Sequence, residues 1–253
     1  MNRVVYFSGT GNSLKIARET ARHIGGGELV SMAHDDKNMP NRHYDTTGFV
    51  FPVYFWGLPH IVRRFVTAMS GHHSSYYYAI TTSGGSPGNG LPQLKALLKH
   101  CHDIELNYGQ NITMQTNYIL HNYLMYFHNF HNLEKNAQVI LEKAEKKLRL
   151  VTDHINRREN NKIGNINKFR EIYYNRYMRH ISRIDRHYRV SDDCIRCGIC
   201  VTICPVKNIA LINDKPEFKS HCEQCLACMH YCPRRAINYK NITQNRKRYT
   251  NPQ

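Results

Sequence analysis

The chain has 253 residues, with 35 Lys and Arg against 19 Asp and Glu for a formal charge of +16. That length accommodates one larger domain and one small one. No stretch reaches the roughly eighteen apolar residues of a membrane span, and the opening run Met1 to Ser8 is too short for a signal peptide. Strong basicity favours acidic partners without choosing among an acidic redox protein, nucleic acid and anionic lipid.

Val4, Val5, Tyr6 and Phe7 form a continuous apolar run that predicts a buried strand from Arg3 to Ser8. It leads directly into Ser8, Gly9, Thr10, Gly11, Asn12 and Ser13. Behind these, Leu14, Ile16, Ala17, Ala21 and Ile24 predict a helix closed by Gly25, Gly26 and Gly27. A strand, a glycine and hydroxyl loop and a helix N-terminus make an anion site, because backbone N–H groups and the helix dipole face the ligand. The loop is not a P-loop, since the G-K-[ST] ending is missing. It is not G-x-G-x-x-G either, because position 14 is Leu.

The loop Ser8 to Ser13 resembles the phosphate loop of flavodoxins, which hold FMN with hydroxyls and amides. Glu28 to Ser31 reads as the next, short strand, followed by a polar loop with Pro40. A third strand, Gly48 to Phe51, opens into Pro52, Val53, Tyr54, Phe55, Trp56 and Gly57, and a helix with Ile61, Val62, Phe65, Val66 and Met69 follows. This aromatic loop is similar to the flavodoxin loop lying against the flavin ring. The resemblance implies Trp56 as the stacking residue and Gly57 as the peptide that turns toward a ring nitrogen. The rival reading is that Tyr54, Phe55 and Trp56 cap a sheet.

Tyr76 to Thr81 predicts a fourth strand, ending in the glycine-dense loop Thr82, Ser83, Gly84, Gly85, Ser86, Pro87, Gly88, Asn89 and Gly90. Such a loop lets backbone approach a planar ligand closely. It corresponds to the second flavin loop of flavodoxins, yet carries no aromatic, so one flavin face is expected to be open. A helix from Leu91 to His100, with the lone N-terminal cysteine Cys101 directly after it, and a last strand region from Ile104 to Met114 complete an alternating order. That order predicts a doubly wound parallel sheet with ligand loops at the strands' carboxyl ends.

From Leu133, apolar residues at Ala137, Ile140, Leu141, Ala144, Leu148 and Val151 give an amphipathic helix expected to pack last on this domain. Between Arg157 and Arg189 the composition shifts to Asn, Arg, Lys and Tyr. Basic residues interleaved with aromatics can bind single-stranded nucleic acid. A helical linker is favoured instead, because every site-grade motif lies outside the stretch. The histidines His72, His73, His121, His128 and His131 match no ligand spacing, and no catalytic acid or base is assigned.

The region from Asp193 to Pro233 reads Cys194-x2-Cys197-x2-Cys200-x3-Cys204-Pro205, then Cys222-x2-Cys225-x2-Cys228-x3-Cys232-Pro233, each position recurring 28 residues later. This spacing is that of bacterial two-cluster ferredoxins, in which the fourth cysteine of each run ligates the other [4Fe-4S] cluster. The expected sets are Cys194, Cys197, Cys200 with Cys232, and Cys222, Cys225, Cys228 with Cys204. A zinc ribbon is the rival, but zinc has no use for a third evenly spaced cysteine. Thiolate clusters indicate a reducing, cytoplasmic setting.

Taken whole, the chain resembles the flavodoxin-ferredoxin fusion proteins of the EFR1-like family. The resemblance implies an α/β flavodoxin-like domain over 1–155, a basic helical linker over 156–190, a small α+β ferredoxin domain over 191–240 and a frayed basic tail over 241–253. It implies two [4Fe-4S] clusters, FMN and electron exchange with redox partner proteins, the alternative being a flavoenzyme that reduces a small substrate. With those cofactors bound the charge falls to about +10.

Overall fold

The computed structural model describes residues 1–33, 42–70, 72–120 and 137–251. The loop around Pro40, the helix start at Leu133 and the histidines His121, His128 and His131 lie outside the described residues. Two compact units divide the chain: residues 1–8, 12–115 and 138–175 form the first, and 9–11, 116–137 and 176–253 the second.

In the first unit, the strands β1 (Asn2–Tyr6), β2 (Glu28–Ser31), β4 (Thr46–Pro52), β6 (Tyr77–Ser83) and β7 (Tyr108–Thr113) build one sheet in the order β2-β1-β4-β6-β7, with all pairings parallel. A further parallel pair joins β3 (Arg42–Tyr44) to β5 (His72–Ser74), which the sequence pattern does not reveal. β4 and β6 are buried along nearly their whole length, as strands covered on both faces must be. Counting the five strands of the main sheet alone, their order is 2-1-3-4-5, the flavodoxin-like one, whose switch point lies between β1 and β4.

Helices follow the strands: α1 (Asn12–His23), α2 (His60–Ala68), α3 (Gly90–His102) and α4 (Ala137–Asn156). The period read in the sequence for α4 is realised, with Ala144, Leu148, Val151 and Ile155 buried in one cluster with Val4, Ile16, Val50 and Ile80. Helix α5 (Lys168–Ile181) then occupies part of the expected linker, its residues to Asn175 belonging to the first unit.

In the second unit, β8 (Tyr188–Val190) pairs antiparallel with β11 (Ile237–Tyr239), and β9 (Ile209–Ile212) with β10 (Lys215–Phe218). Two single helical turns, α6 (Ile199–Thr202) and α7 (Ala227–His230), sit inside the two cysteine runs. The 28-residue repeat recurs in the backbone. Arg196 and Gln224 have φ of 59° and 51°, Gly198 and Leu226 74° and 62°, Lys207 and Arg235 both 51°. Equivalent turns therefore bend equivalent chain, although only one of these six residues is glycine.

The segment after Asn241 differs from the expected frayed tail. Thr243, Arg246 and Asn251 are at most 5% exposed. The Arg246 guanidinium donates to the Ile119 carbonyl, and Arg248 donates to Asn238 Oδ1 at 2.7 Å. Composition alone suggested a solvated end; the arginines instead find carbonyl and amide acceptors inside the unit.

Candidate cofactor sites

The three loops expected to meet a flavin follow β1, β4 and β6 at the carboxyl edge of the sheet. After β4 the chain makes a tight hairpin: Tyr54 N–H donates to Gly57 O at 3.0 Å and Gly57 N–H to Tyr54 O at 2.9 Å. The two residues between them, Phe55 and Trp56, both have positive φ, at 47° and 66°. This is the pattern of a type I′ turn, which normally calls for Asn and Gly, and bulky residues adopt it only under constraint. The turn leaves Phe55 and Trp56 about 40% exposed, side by side with ring centroids 5.4 Å apart. Tyr54 instead packs edge-on against Phe7. Of the three aromatics, two are presented and one is packing.

Gly57 cannot carry a side chain, because a Cβ would lie 2.5 Å from the Tyr174 ring and 2.6 Å from Gln93 Oε1. These groups brace the loop from behind. Gln93 Oε1 accepts from Leu58 N–H at 2.8 Å, and the Tyr174 hydroxyl donates to Leu58 O at 2.5 Å. Glu171 on α5 accepts from Gln93 Nε2 at 2.7 Å and from Asn89 Nδ2 at 3.0 Å. Asn89 N–H in turn donates to Trp56 O at 2.6 Å. One carboxylate thus ties the aromatic loop to the glycine loop, and neither Glu171 nor Tyr174 was signalled by any motif. Gly84 and Gly85 are exposed, and Ser83 Oγ donates to Gly85 O at 2.7 Å. Val53 N–H joins the two loops again by donating to Thr82 O at 2.9 Å.

In the loop after β1, Ser13 and Thr82 hydroxyls bond at 2.8 Å, and Asn12 Nδ2 donates to Gln115 O at 2.8 Å. Asn12 opens α1, and the first turn of that helix holds no acidic residue. Thr10 and Gly11 are buried, Gly11 with φ of 100°. In the first unit the donors that fit an anionic phosphate are the Ser13 hydroxyl and the N-terminus of α1, whose first N–H groups have no intrahelical acceptor.

Two cavities in the second unit gather the repeated cysteines. One, of about 20 Å³, is walled by Cys194, Cys197, Cys200 and Cys232. The other, also of about 20 Å³, is walled by Cys204, Cys222, Cys225 and Cys228. Each takes three cysteines from one run and the fourth from the other. None of the eight is joined in a disulfide, and among the described residues no three Cys, His, Asp or Glu converge as ligands of a single ion. Backbone N–H groups point at the sulfurs: Asn208 to Cys204 at 3.2 Å, Ala236 to Cys232 at 3.3 Å, Gln224 to Cys222 at 3.2 Å.

The two cavities differ in cover. Cys225 and Cys228 are buried, and burial pushes the Cys222 thiol up to about 12 and the Cys225 and Cys228 thiols higher still. Thiols in such surroundings ionise only when a cationic centre binds them. Around the first cavity, Cys197 is exposed and Ile195 and Leu211 are 58% and 41% exposed.

Residues 187–210 match the model of the 4Fe-4S binding domain. A 55-residue stretch, 21% of the chain, is 38% identical to the polyferredoxin protein MvhB of Methanothermus fervidus, of which it covers 13%. Among solved structures, the two-electron reduced flavodoxin of Megasphaera elsdenii is 20% identical, the alignment covering 45% of this chain and 85% of that one at a TM-score of 0.36. A flavodoxin from the domain Archaea is 13% identical, with 57% and 96% covered at a TM-score of 0.37. Strand order, independently of these alignments, identifies the sheet. Among the described residues no helix is long and apolar enough to cross a membrane. A flavodoxin-like sheet and a 4Fe-4S binding domain in one chain point to electron transfer.

Proposed function

We propose that this chain is an electron-transfer protein of the flavodoxin-ferredoxin fusion type, carrying two [4Fe-4S] clusters and FMN and linking redox partner proteins. The observation that carries the reading is the crossed composition of the two cavities. A three-plus-one division is the ligand pattern of interlocked clusters, whereas zinc would draw four sulfurs to one point at about 2.3 Å. Cys194, Cys197, Cys200 and Cys232 would hold one cluster, and Cys204, Cys222, Cys225 and Cys228 the other.

When bound, the clusters exchange one electron each and the flavin one or two. The chain supplies placement. The amides of Asn208, Gln224 and Ala236, which donate to the Cys204, Cys222 and Cys232 sulfurs, would stabilise negative charge on bound clusters and so raise their potential. Thr10 and Ser13 would donate to the flavin phosphate, Phe55 and Trp56 would meet the ring, and the exposed Gly84 and Gly85 leave room for backbone to approach it. The wall of the first cavity includes exposed Cys197, Ile195 and Leu211, a route for exchange with an outside partner, whereas that of the second includes buried Tyr188 and Leu226.

Anaerobic purification followed by iron, sulfide, zinc and flavin analysis tests this reading. About eight iron, eight sulfide and one FMN per chain are expected. Stoichiometric zinc without sulfide would overturn the cluster assignment, and absence of flavin after reconstitution would overturn the FMN assignment.

A further inference from the structure

We infer that Asp185 sets the two proposed clusters apart in potential: the centre held by Cys204, Cys222, Cys225 and Cys228 takes an electron less readily than the one held by Cys194, Cys197, Cys200 and Cys232. The inference rests on the two-cluster reading. It concerns a residue that no sequence motif marks.

Asp185 lies in a short 3-10 turn, Ile184–His187, just before β8, and is 1% exposed. Its Oδ2 accepts from Asn208 Nδ2 at 2.7 Å and from Ser220 N–H at 3.0 Å. Its Oδ1 has no hydrogen-bond partner among the described residues. Both bonds are received, as an ionised carboxylate receives them. These partners put the carboxylate directly behind the second cavity. Asn208 is one of its wall residues, with its N–H donating to Cys204 Sγ at 3.2 Å, and Ser220 precedes Cys222 by two positions. Arg183 and Arg186, the basic neighbours of Asp185 in the chain, are exposed.

The internal repeat supplies the control. Ala236 stands 28 positions after Asn208 and donates its N–H to Cys232 Sγ at 3.3 Å, the same main-chain bond in the other half. Ala236 has no side-chain amide with which to hold a carboxylate. The repeated amide dipoles therefore match, while the buried charge is attached to one half alone. Glu223, 2% exposed, is a second acidic residue in the wall of the second cavity, where the repeat has Ile195 in the first. The first cavity is walled instead by Arg196 and Arg234, at the positions of Gln224 and Val206. Those arginines, with Asp192 and Asp193 beside Cys194 and Asp214 paired to Arg196 at 3.5 Å, are all exposed, so water and salt screen them. A buried carboxylate is screened far less and dominates.

Reduction moves one electron from an outside one-electron donor to a centre, with no bond made or broken. A fixed negative charge nearby raises the free energy of the reduced form. Burial of Cys225 and Cys228 acts in the same sense, because low-dielectric surroundings penalise added charge. The first electron therefore settles beside exposed Cys197, and the enclosed centre fills only against a stronger reductant.

Potentiometric titration followed by electron paramagnetic resonance, on the full-length cluster-loaded protein, reads both couples. Wild type is expected to show two one-electron steps whose reduction constants differ by about tenfold or more, equivalent to about 59 mV. In Asp185→Asn, which keeps the shape and removes the charge, the lower couple should rise about tenfold in reduction constant while the upper changes less than about threefold. Superimposed couples in wild type overturn the inference, as does an Asp185→Asn chain in which neither couple moves or the upper one does. Iron and sulfide analysis verifies loading. Should Asp185→Asn fail to load both centres, Cys197→Ala decides, because it retains the second centre alone: survival of the lower couple is expected, and survival of the upper one overturns the inference. A wild-type chain that holds about four iron rather than eight refutes the two-cluster reading itself, a separate failure.

Discussion

Single residues decide the two cofactor sites in opposite ways. Cysteines are legible because a metal cluster demands a fixed chemistry at a fixed spacing; the eight thiols found in two cavities are the eight read from the sequence. Cys197→Ala is expected to remove about half the iron and sulfide and to broaden the thermal transition of the second unit; full content in that variant would contradict the ligand sets. Gly57 is a different case. The resemblance to flavodoxins implies a turning peptide there, and Tyr174, 117 positions away, supplies a separate steric reason for glycine. Gly57→Ala is expected to destabilise the first unit by about 1–3 kcal/mol, through overpacking against a ring that cannot retreat. Tyr174→Phe should cost about 1 kcal/mol by leaving the Leu58 carbonyl without its donor. Denaturant titration followed at Trp56 reads both, and a Gly57→Ala chain as stable as wild type would disprove the bracing role.

At the scale of elements, period and punctuation carried the fold. Short apolar runs mark β1 (Val4 to Tyr6), β4 (Phe49 to Phe51) and β6 (Tyr77 to Ile80), as expected of parallel strands covered on both sides, and the three-four spacing of α4 names its buried face correctly. Contacts made by elements distant in sequence were not readable. The docking of α5 depends on Glu171 meeting Asn89 and Gln93, three polar residues with no period among them. The same holds for the C-terminal segment, whose basic composition hides arginines that pair with carbonyl and amide acceptors. For the phosphate loop, Thr10→Ala combined with Ser13→Ala should raise the FMN dissociation constant by about tenfold or more, measured by equilibrium dialysis. Unchanged affinity would remove the loop from the site.

The whole molecule is strongly basic, and after allowing for proposed cofactors about +10 remains. Electron exchange with an acidic redox protein should therefore slow as salt rises from about 0.01 to 0.5 M, while exchange with an uncharged chemical reductant should not. Stopped-flow rates at graded ionic strength separate the two, and a flat profile with acidic partners would remove charge steering. Removing the clusters with a chelator under mild oxidation should melt the second unit and leave the first, whose core of Val4, Val50, Ile80, Leu148 and Val151 includes no cysteine. Two separate transitions in circular dichroism are the expected sign.

Unequal cover over the two cysteine cavities has a consequence for how the protein ages in air. Dioxygen and peroxide would reach the centre beside exposed Cys197 before the one enclosed by Cys225 and Cys228. Damage would then be stepwise, passing through a one-cluster form. Because Cys204 would serve the sheltered centre from within the exposed run, that form would keep the first loop anchored at one end and leave its remaining thiols open to reloading with iron and sulfide.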